Sequence, residues 1–382
     1  MKSRVVVSIY TDPDFYPPTI NAILNLSEAF EEVVVISRTN ATKDFPYPEN
    51  VRLIKIGANC TVREMEKQSF GKKMFYFMKF LFSFLKYSKQ SATRLILIYD
   101  HFALFAYHLC RIFIKHKKVW YHNHDMVNKE LVSRFSIGGL AVKYEANAMK
   151  NIDFFSLPSK ERLVYFSDLS KDIPVFIIPN YPSLKMYRHF KKKFGNERKI
   201  KIIYQGFIGK GHSLEEIVQL LPESIEGKKL YLTLKGSVTA EYKSCLDKLA
   251  RDLNVSEQLR WLPISSYSEL PEITASCDLG VGINMNNDAV SLAQGTASNK
   301  IYEYAASGLP VVLYKSEQFE KYLASYDWAF FSDGSLLSLK NTLGQIVNNL
   351  ENLSISARND FENRLNFERV FQPVMKNVIA SL

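Results

Sequence analysis

The chain has 382 residues, a length that suits two domains or one large one, and its 47% hydrophobic and 23% charged residues allow ordinary packed cores. The net charge of +10 favours an anionic partner, phosphate or lipid, but the chain has no zinc-finger, basic-zipper or RNA-binding signature, which argues against nucleic acid. Four scattered cysteines, no signal peptide and no apolar run of about 18 residues predict a cytoplasmic protein without a transmembrane helix.

The N-terminal half alternates short apolar strands with amphipathic helices. Strands are predicted at 5–9, 33–37, 94–99 and 119–122, and helices at 19–30 and 102–114. Continuous apolar strands separated by helices are typical of a parallel sheet that is covered on both faces. Residues 1–180 are therefore predicted to form a doubly wound, Rossmann-like domain.

A second α/β series begins near residue 200. Strands are predicted at 201–204, 230–235, 259–262, 279–283 and 310–313, with a helix at 214–220 after the first strand. Residues 200–360 are predicted as a second Rossmann-like domain, 181–199 as a linker rich in Lys and Arg, and 361–382 as a helical tail that packs back toward the first domain. Two such sheets facing one cleft would hold a ligand at the carboxyl ends of their strands.

The strongest motif is GTASNKIYEYAASGLPVV at 295–312. A loop of small residues precedes a helix that is expected to begin near Asn299, with Ser298 as N-cap, and to stop at Gly308. Free N–H groups at a helix N-terminus suit a phosphate, and Glu303, on the same helix face as Asn299, could accept hydrogen bonds from ribose hydroxyls. The alternative is a well-capped surface helix with a solvated Glu303. The predicted ligand-binding residues here are Thr296, Ala297, Ser298, Asn299 and Lys300.

The second motif is QGFIGKGH at 205–212, directly after a predicted strand. Its spacing differs from the G-x-G-x-x-G of dinucleotide folds. A glycine turn lets backbone approach a ligand, and Lys210 would stabilise the charge of a leaving diphosphate. An ordinary turn with an exposed lysine is the alternative. The predicted ligand-binding residues of this loop are Gly206, Phe207, Gly209 and Gly211.

These residues resemble those of a known family. SNKIYEYAASGLPVV is similar to the diphosphate loop and helix of the family 4 retaining glycosyltransferases of GT-B fold, and the resemblance extends over about 200–323. It implies transfer of a hexosyl or related group from a nucleotide-diphosphate sugar to a glycan or lipid-linked acceptor in surface polysaccharide assembly. Retention at the anomeric carbon is implied by the resemblance only. No metal is expected.

The resemblance also implies roles for single residues. Glu303 would hold the ribose, Lys210 would act on the diphosphate, and the backbone at Leu262 and Ile264 would contact the base. Eight residues before Glu303, where the family often has a second glutamate near the donor sugar, this chain has Gly295. Sugar recognition, and with it the base, the acceptor and the linkage, stays open.

The N-terminal half offers weaker candidates. In VWYHNHD at 119–125, His122 and His124 face the same side of an extended chain, so the pair could bind a metal or be structural. His124-Asp125 resembles a family pair that faces the cleft, where His124 would donate to the donor sugar or its diphosphate. The Asp12-Pro13-Asp14 string is interpreted as a turn rather than a cation site, and Asp100 and His101 follow a strand without a supporting motif.

Residues 70–90, FGKKMFYFMKFLFSFLKYSKQ, form a basic aromatic stretch. Such a helix could lie in an anionic membrane interface, or be buried with its lysines reaching the surface. The resemblance favours the membrane, because many such enzymes use lipid-linked acceptors. The sequence hypothesis is a peripheral enzyme in which Lys72, Lys73, Lys79 and Lys86 contact anionic lipid.

Two other functions fit the same motifs. A sugar-nucleotide epimerase of GT-B fold would share the nucleotide site but need an acid and a base near the sugar. A non-catalytic nucleotide- or glycan-binding module would fit the loss of the first glutamate, although the retained Lys210 and Glu303 argue against it.

Overall fold

A computed structural model describes residues 3–39, 45–60, 64–65, 67–114, 116–124, 126, 132–190, 192, 198–286 and 295–382. The chain forms two compact units, one of Met1–Pro179 with Glu368–Leu382 and one of Asn180–Phe367. Each unit is built on a seven-stranded sheet.

The sheet of the first unit is parallel and doubly wound. Its strands are β1 (Arg4–Ser8), β2 (Glu32–Arg38), β3 (Val51–Ile56), β4 (Thr93–Ile98), β5 (Lys118–His122), β6 (Phe154–Leu157) and β7 (Val175–Ile177), in the order β3-β2-β1-β4-β5-β6-β7. Its helices are α1 (Pro17–Ala29), α2 (Phe70–Ser88), α3 (His101–Cys110), α4 (Ile137–Met149) and the C-terminal helix, Phe367–Ala380. The order reverses at β1, as in Rossmann-like sheets.

Both faces of this sheet are covered. On one face, aromatic residues of α2 such as Phe80 and Phe84 pack with α3 and α4 against Val6 and Ile96. Trp120 alternates with its neighbours on β5 and so faces the other side, where Phe371 of the C-terminal helix stacks on it with ring centroids 5.6 Å apart. Because the sheet is buried on both faces, its strands are apolar at consecutive positions rather than at alternate ones.

The second unit repeats the plan. Its strands are β8 (Lys199–Gln205), β9 (Ser224–Ile225), β10 (Lys228–Lys235), β11 (Leu259–Leu262), β12 (Leu279–Val281), β13 (Val311–Tyr314) and β14 (Ala329–Ser332). The order is β11-β10-β8-β12-β13-β14, all parallel, with β9 antiparallel to β10. The helices are α5 (Leu184–Tyr187), α6 (Leu214–Leu220), α7 (Ala240–Asp252), α8 (Leu270–Ala275), α9 (Asn299–Ala306), α10 (Glu317–Leu323), α11 (Leu336–Asn348) and α12 (Leu350–Asn363), and the C-terminal helix becomes α13.

Alternate residues of β8 define the two faces of this second sheet. Ile202 and Tyr204 join a core with α6, α7 and α11, whereas Ile203 joins a core with α9 and α10. The predicted fold class of two doubly wound α/β units is confirmed by this arrangement.

The segment 181–199 carries more structure than a linker requires. It contains α5, whose Tyr187 is fully buried, and the Arg358 guanidinium donates to the carbonyl oxygens of Tyr187 and Phe190 at 3.0 and 3.2 Å. The tail predicted at 361–382 is broken between α12 and α13, and the chain rejoins the first unit from Glu368 onward.

In the part of the chain that the structure describes, no helix is both long enough and apolar enough to cross a membrane.

Candidate nucleotide-binding site

The two strongest motifs meet at one place in the second unit. After β8 the chain passes to β10 on one side, whereas β12 lies on the other, so β8 and β12 flank the topological switch point where open α/β sheets bind ligands. A cavity of about 170 Å³ lies there. It is lined by Tyr204, Phe207, His212, Gly282, Asn284, Ser298 and Lys300.

The glycine loop after β8 approaches this cavity through backbone that only glycine adopts easily. Gly206 has φ +121° and Gly211 has φ +85°. The Tyr204 hydroxyl donates to the carbonyl oxygen of Phe207 at 2.7 Å, and a Cβ on Gly209 would lie 2.8 Å from the Phe207 ring. The loop is therefore folded tightly on itself.

The cation inside the cavity is Lys300 rather than Lys210. Lys300, in the first turn of α9, places Nζ 3.0 Å from the Tyr204 hydroxyl and 4.2 Å from the centroid of its ring. Burial lowers the pKa of Lys300 to about 8. Lys210 is exposed, is not among the lining residues, and makes no ion pair with any described side chain. The role given to Lys210 stays a prediction.

The N-terminus of α9 is open to an anion. A 3₁₀ turn at Gly295–Ala297 leads into it, and Ser298 occupies the N-cap position, but its side chain makes no capping hydrogen bond, which corrects the capping expected from the sequence. Asn180 donates to the carbonyl oxygens of Thr296 and Ala297 at 3.0 and 2.8 Å and fixes the turn. The first N–H groups of the helix are therefore left for another acceptor. Gly308, with φ +74°, ends α9 at the C′ position as predicted.

Glu303 lies behind the cavity rather than on its wall. It is 4% exposed, and its carboxylate accepts from Gln205 Nε2 at 2.5 Å. Burial raises the pKa of Glu303 to about 7, although the hydrogen bond from Gln205 and the charge of Lys300 act to lower it. One turn earlier, the buried Oδ1 of Asn299 has no hydrogen-bond partner among the described residues. Asn299, like Glu303, is not among the residues that line the cavity.

At the other edge of the site, β11 ends in Leu262, and Ile264 is 57% exposed. The ammonium of Lys235, at the end of β10, donates to the carbonyl oxygen of Pro263 at 3.1 Å and to Ser265 Oγ at 2.8 Å. Lys235 is buried, and sequence reasoning missed it. The sequence signal that could have identified Lys235 as a buried residue is its position at the end of the apolar strand β10.

In the first unit, His124 is held at the end of β5. Its Nδ1 donates to the carbonyl oxygen of Tyr99 at 2.8 Å, and its ring meets the edge of Tyr16 at 4.3 Å between centroids. His122 instead bonds Ser156 Oγ at 2.8 Å and is buried, which holds its pKa well below the ordinary value. The two histidines hydrogen-bond to different protein groups, and no group of His, Cys, Asp and Glu in the described chain could hold a metal ion. Asp125 lies outside the described residues.

The other N-terminal candidates have structural partners. Asp12 pairs with Lys55 at 3.1 Å and caps a 3₁₀ turn, and Asp14 accepts from the Tyr47 hydroxyl at 2.7 Å, in agreement with a turn. Asp100 caps α3 by accepting from Ala103 N at 2.8 Å, and burial raises its pKa to about 6. Burial lowers the pKa of His101 to about 4.

The fold of the chain is that of the GT-B glycosyltransferases. It is similar over its whole length, and over the whole of the matched chains, to a sucrose-phosphate synthase from Thermosynechococcus elongatus (13% identity, TM-score 0.70) and to the Anabaena protein HepE in complex with UDP and glucose (12%, 0.67). WaaG, a glycosyltransferase involved in lipopolysaccharide biosynthesis, is 14% identical with a TM-score of 0.60, covering 95% of this chain and 96% of its own. No family model and no curated protein matches the sequence.

Proposed function

We propose that the protein is a glycosyltransferase that moves a hexosyl or related group from a nucleotide-diphosphate sugar to a glycan or lipid-linked acceptor, with retention, in surface polysaccharide assembly. The observation that carries the proposal is the convergence of the glycine loop, the uncapped N-terminus of α9 and the Lys300 ammonium on one cavity. Solved structures of the same fold hold UDP, or UDP with glucose. Retention and membership in family 4 rest on the sequence resemblance.

In this reaction the site has to stabilise negative charge. As the bond from the sugar to the diphosphate breaks, charge grows on the leaving phosphate, and fixed N–H dipoles and a cation stabilise it. Lys300 and the first turn of α9 supply both groups from one helix end. Lys210, exposed on the adjacent loop, would add a second cation at the outer side of the diphosphate. The proposal therefore requires no metal.

The donor site is tested by thermal unfolding with UDP, GDP, ADP and NAD. One nucleoside diphosphate at about a hundred times its dissociation constant is expected to stabilise the wild type by about 2.7 kcal/mol. Lys300→Met should weaken its binding by about 10- to 100-fold, because a charge-assisted hydrogen bond is worth about 1.5–3 kcal/mol. Lys229→Met, an exposed lysine on β10, is the control and should bind normally.

A wild type that responds to none of the four ligands would contradict the donor site. The rival activities need separate measurements. An epimer formed from the donor without any acceptor would favour the epimerase, and glycan assembly that survives Glu303→Ala would support the binding module.

We also propose that the enzyme associates with an anionic membrane surface through α2. This helix has two apolar faces. Phe77, Phe80 and Phe84 are buried against the sheet, whereas Phe75 and Phe82 are 54% and 63% exposed. Met78 joins the exposed pair at helical spacing, and exposed Lys72, Lys79 and Lys86 flank it. The sequence left two alternatives for this helix: its buried face fits packing within the unit, and its exposed face supports the membrane proposal.

Vesicle binding tests this proposal. Cosedimentation with phosphatidylglycerol vesicles is expected to fall with added salt and to be absent with phosphatidylcholine alone. A double variant, Phe75→Ser with Phe82→Ser, should lose most binding, and Lys79→Glu should weaken it by about 5-fold or more, since each basic residue near the surface contributes about 1 kcal/mol. Leu337→Ser, at an equally exposed apolar residue of α11, is the control. Salt-insensitive or absent binding by the wild type would contradict the proposal.

A further inference from the structure

His212 is held in one orientation by a backbone carbonyl just past the end of β12. Its Nδ1 donates to the carbonyl oxygen of Ile283 at 2.7 Å, and its ring centroid lies 5.1 Å from that of Tyr204. The side chain is buried and lines the cavity. Because Nδ1 is committed to a backbone carbonyl, Nε2 is the remaining polar atom of the ring.

The backbone on both sides of His212 is unusual. Gly211 has φ +85°, and Ser213, which is not a glycine, has φ +52°. A left-handed conformation at such a residue costs free energy and persists only where the surroundings impose it. Here Gly211 O accepts from Met285 N at 2.9 Å, and Ser213 Oγ donates to Gly334 O at 3.1 Å. These two hydrogen bonds hold the backbone on either side of His212 in place.

The sheet order indicates which part of a donor meets His212. A nucleotide-diphosphate sugar is linear, with base, ribose, diphosphate and sugar in that order. If the base lies beside Leu262 and Ile264 at the end of β11, and the diphosphate at the glycine loop and α9, the sugar lies toward β12. Three strand spacings of about 4.8 Å separate β11 from β12 by about 14 Å. His212 is bonded to Ile283, just past the end of β12, and therefore lies at the sugar end.

The chemistry of His212 suits a hydroxyl. Burial, and then the charge of Lys300, lower the pKa of His212, so the ring is neutral near pH 7. A neutral imidazole with Nδ1–H used up offers Nε2 as an acceptor, which a sugar hydroxyl satisfies and a phosphate oxygen does not. Gly295 has no side chain to take this role.

We infer that His212 binds the sugar of the donor by accepting a hydrogen bond from one of its hydroxyls at Nε2. This inference rests on the proposed function, because it deepens the assignment of the same site.

The test compares UDP with UDP-glucose by titration calorimetry on the wild type, His212→Asn and His212→Gln. Asn keeps a donor for the Ile283 carbonyl but loses the atom on the cavity side, whereas Gln places an amide near the position of Nε2. UDP affinity should be unchanged in both variants. The UDP-glucose affinity of His212→Asn should fall by about 3- to 10-fold, as for one neutral hydrogen bond, and Gln should recover part of it. His189→Asn, an exposed histidine of the same unit, is the control.

Deoxy analogues of UDP-glucose distinguish the loss of one hydrogen bond from misfolding of a variant. One deoxy position should weaken binding to the wild type and have no effect on His212→Asn, which identifies the hydroxyl. Equal losses for UDP and UDP-glucose, or no loss for either, would overturn the inference while leaving the donor site intact. A wild type that binds no nucleoside diphosphate would instead overturn the proposed function, and the inference with it.

Discussion

Glu303 is a carboxyl group enclosed by protein. Gln205 Nε2 donates a hydrogen bond to it, and Gln205 Oε1 in turn accepts from Thr274 Oγ1 at 3.1 Å. A buried charge of this kind is tolerated only with such partners, and it is still costly. The network fixes this carboxyl group of α9 against Gln205 at the end of β8 and ties its protonation state to the stability of the second unit.

We predict that Glu303→Gln changes how stability depends on pH. The pKa of Glu303 is raised from 4.5 to about 7, so its protonated form stabilises the folded state below pH 4.5, and this contribution is lost as the pH rises through 7. Glutamine mimics the protonated form at every pH. The free energy of unfolding of the variant, relative to wild type, should therefore increase between pH 5 and pH 8, by at most about 3 kcal/mol.

Urea unfolding at these two pH values measures the difference. Glu272→Gln, at an exposed carboxyl on α8, provides the matched control and should follow the wild type. Parallel pH profiles for Glu303→Gln and wild type would show that the carboxyl is ionised in the folded protein without a cost.

Single side chains also show where sequence reasoning ends. The motif at 295–312 placed Ser298, Asn299 and Lys300 at a helix N-terminus, because caps, glycine and proline act locally. The choice between Lys210 and Lys300 as the cavity cation depends on Tyr204, which lies nearly a hundred residues from Lys300 in sequence. The orientation of His212 likewise depends on a distant carbonyl, that of Ile283. Such contacts leave no local pattern.

At the scale of elements, the longer buried strands of the first sheet were predictable, and its short or partly exposed strands were not. The predicted strands at 5–9, 33–37, 94–99 and 119–122 correspond to β1, β2, β4 and β5, which are almost wholly buried. The sequence analysis missed β3, β6 and β7. β3 and β7 are outer strands with partly exposed residues, and β6 and β7 have only four and three residues, so neither apolar run nor alternation was long enough to stand out.

Alanine substitutions at two glycines, Gly280 of β12 and Gly344 of α11, are predicted to have opposite effects on stability, because only Gly280 is packed closely against another element. A Cβ on Gly280 would lie 2.2 Å from the ring of Tyr304, whose hydroxyl accepts from Gln205 N at 3.0 Å and donates to Val281 O at 3.2 Å. Gly280→Ala should therefore destabilise the protein by about 1–3 kcal/mol, as overpacking does, and weaken nucleotide binding by displacing α9.

Gly344 lies inside α11, and no neighbouring atom comes within 4 Å of the position that an alanine methyl group would occupy there. Gly344→Ala should therefore stabilise the protein by about 0.5–1 kcal/mol, because alanine loses less backbone freedom in a helix. Chemical denaturation of both variants checks the pair. A neutral Gly280→Ala would mean that α9 can move away from β12 without cost, which the Tyr304 hydrogen bonds argue against.

At the scale of the whole molecule, the chain leaves the first unit after Pro179 and returns to it at Glu368. The amphipathic pattern of the C-terminal region predicted a helical tail, but not the break after Asn363. There, Asn366 Nδ2 donates to the carbonyl oxygen of Phe361 at 2.9 Å, so a polar side chain satisfies the end of α12, and α13 begins at Phe367. Asparagine occurs both at helix ends and within helices, so the sequence alone does not show that Asn366 ends α12.

Because the chain returns, the C-terminal helix packs on strands and helices of the first unit that precede it by more than 200 residues in sequence. Phe371 is 2% exposed and stacks on the fully buried Trp120, Val378 is fully buried, and Gln372 donates to Asn25 of α1 at 3.3 Å. Phe371→Ala should destabilise the first unit by about 3–5 kcal/mol, the usual loss for a buried aromatic side chain, whereas Lys376→Ala on the exposed side should be near neutral. Hydrogen exchange measures where the loss falls. Faster exchange is expected in peptides of α1 and β5, with β8, β12 and α9 unchanged, and nucleotide binding should persist. Uniformly faster exchange in both units would instead show that the two unfold as one cooperative body.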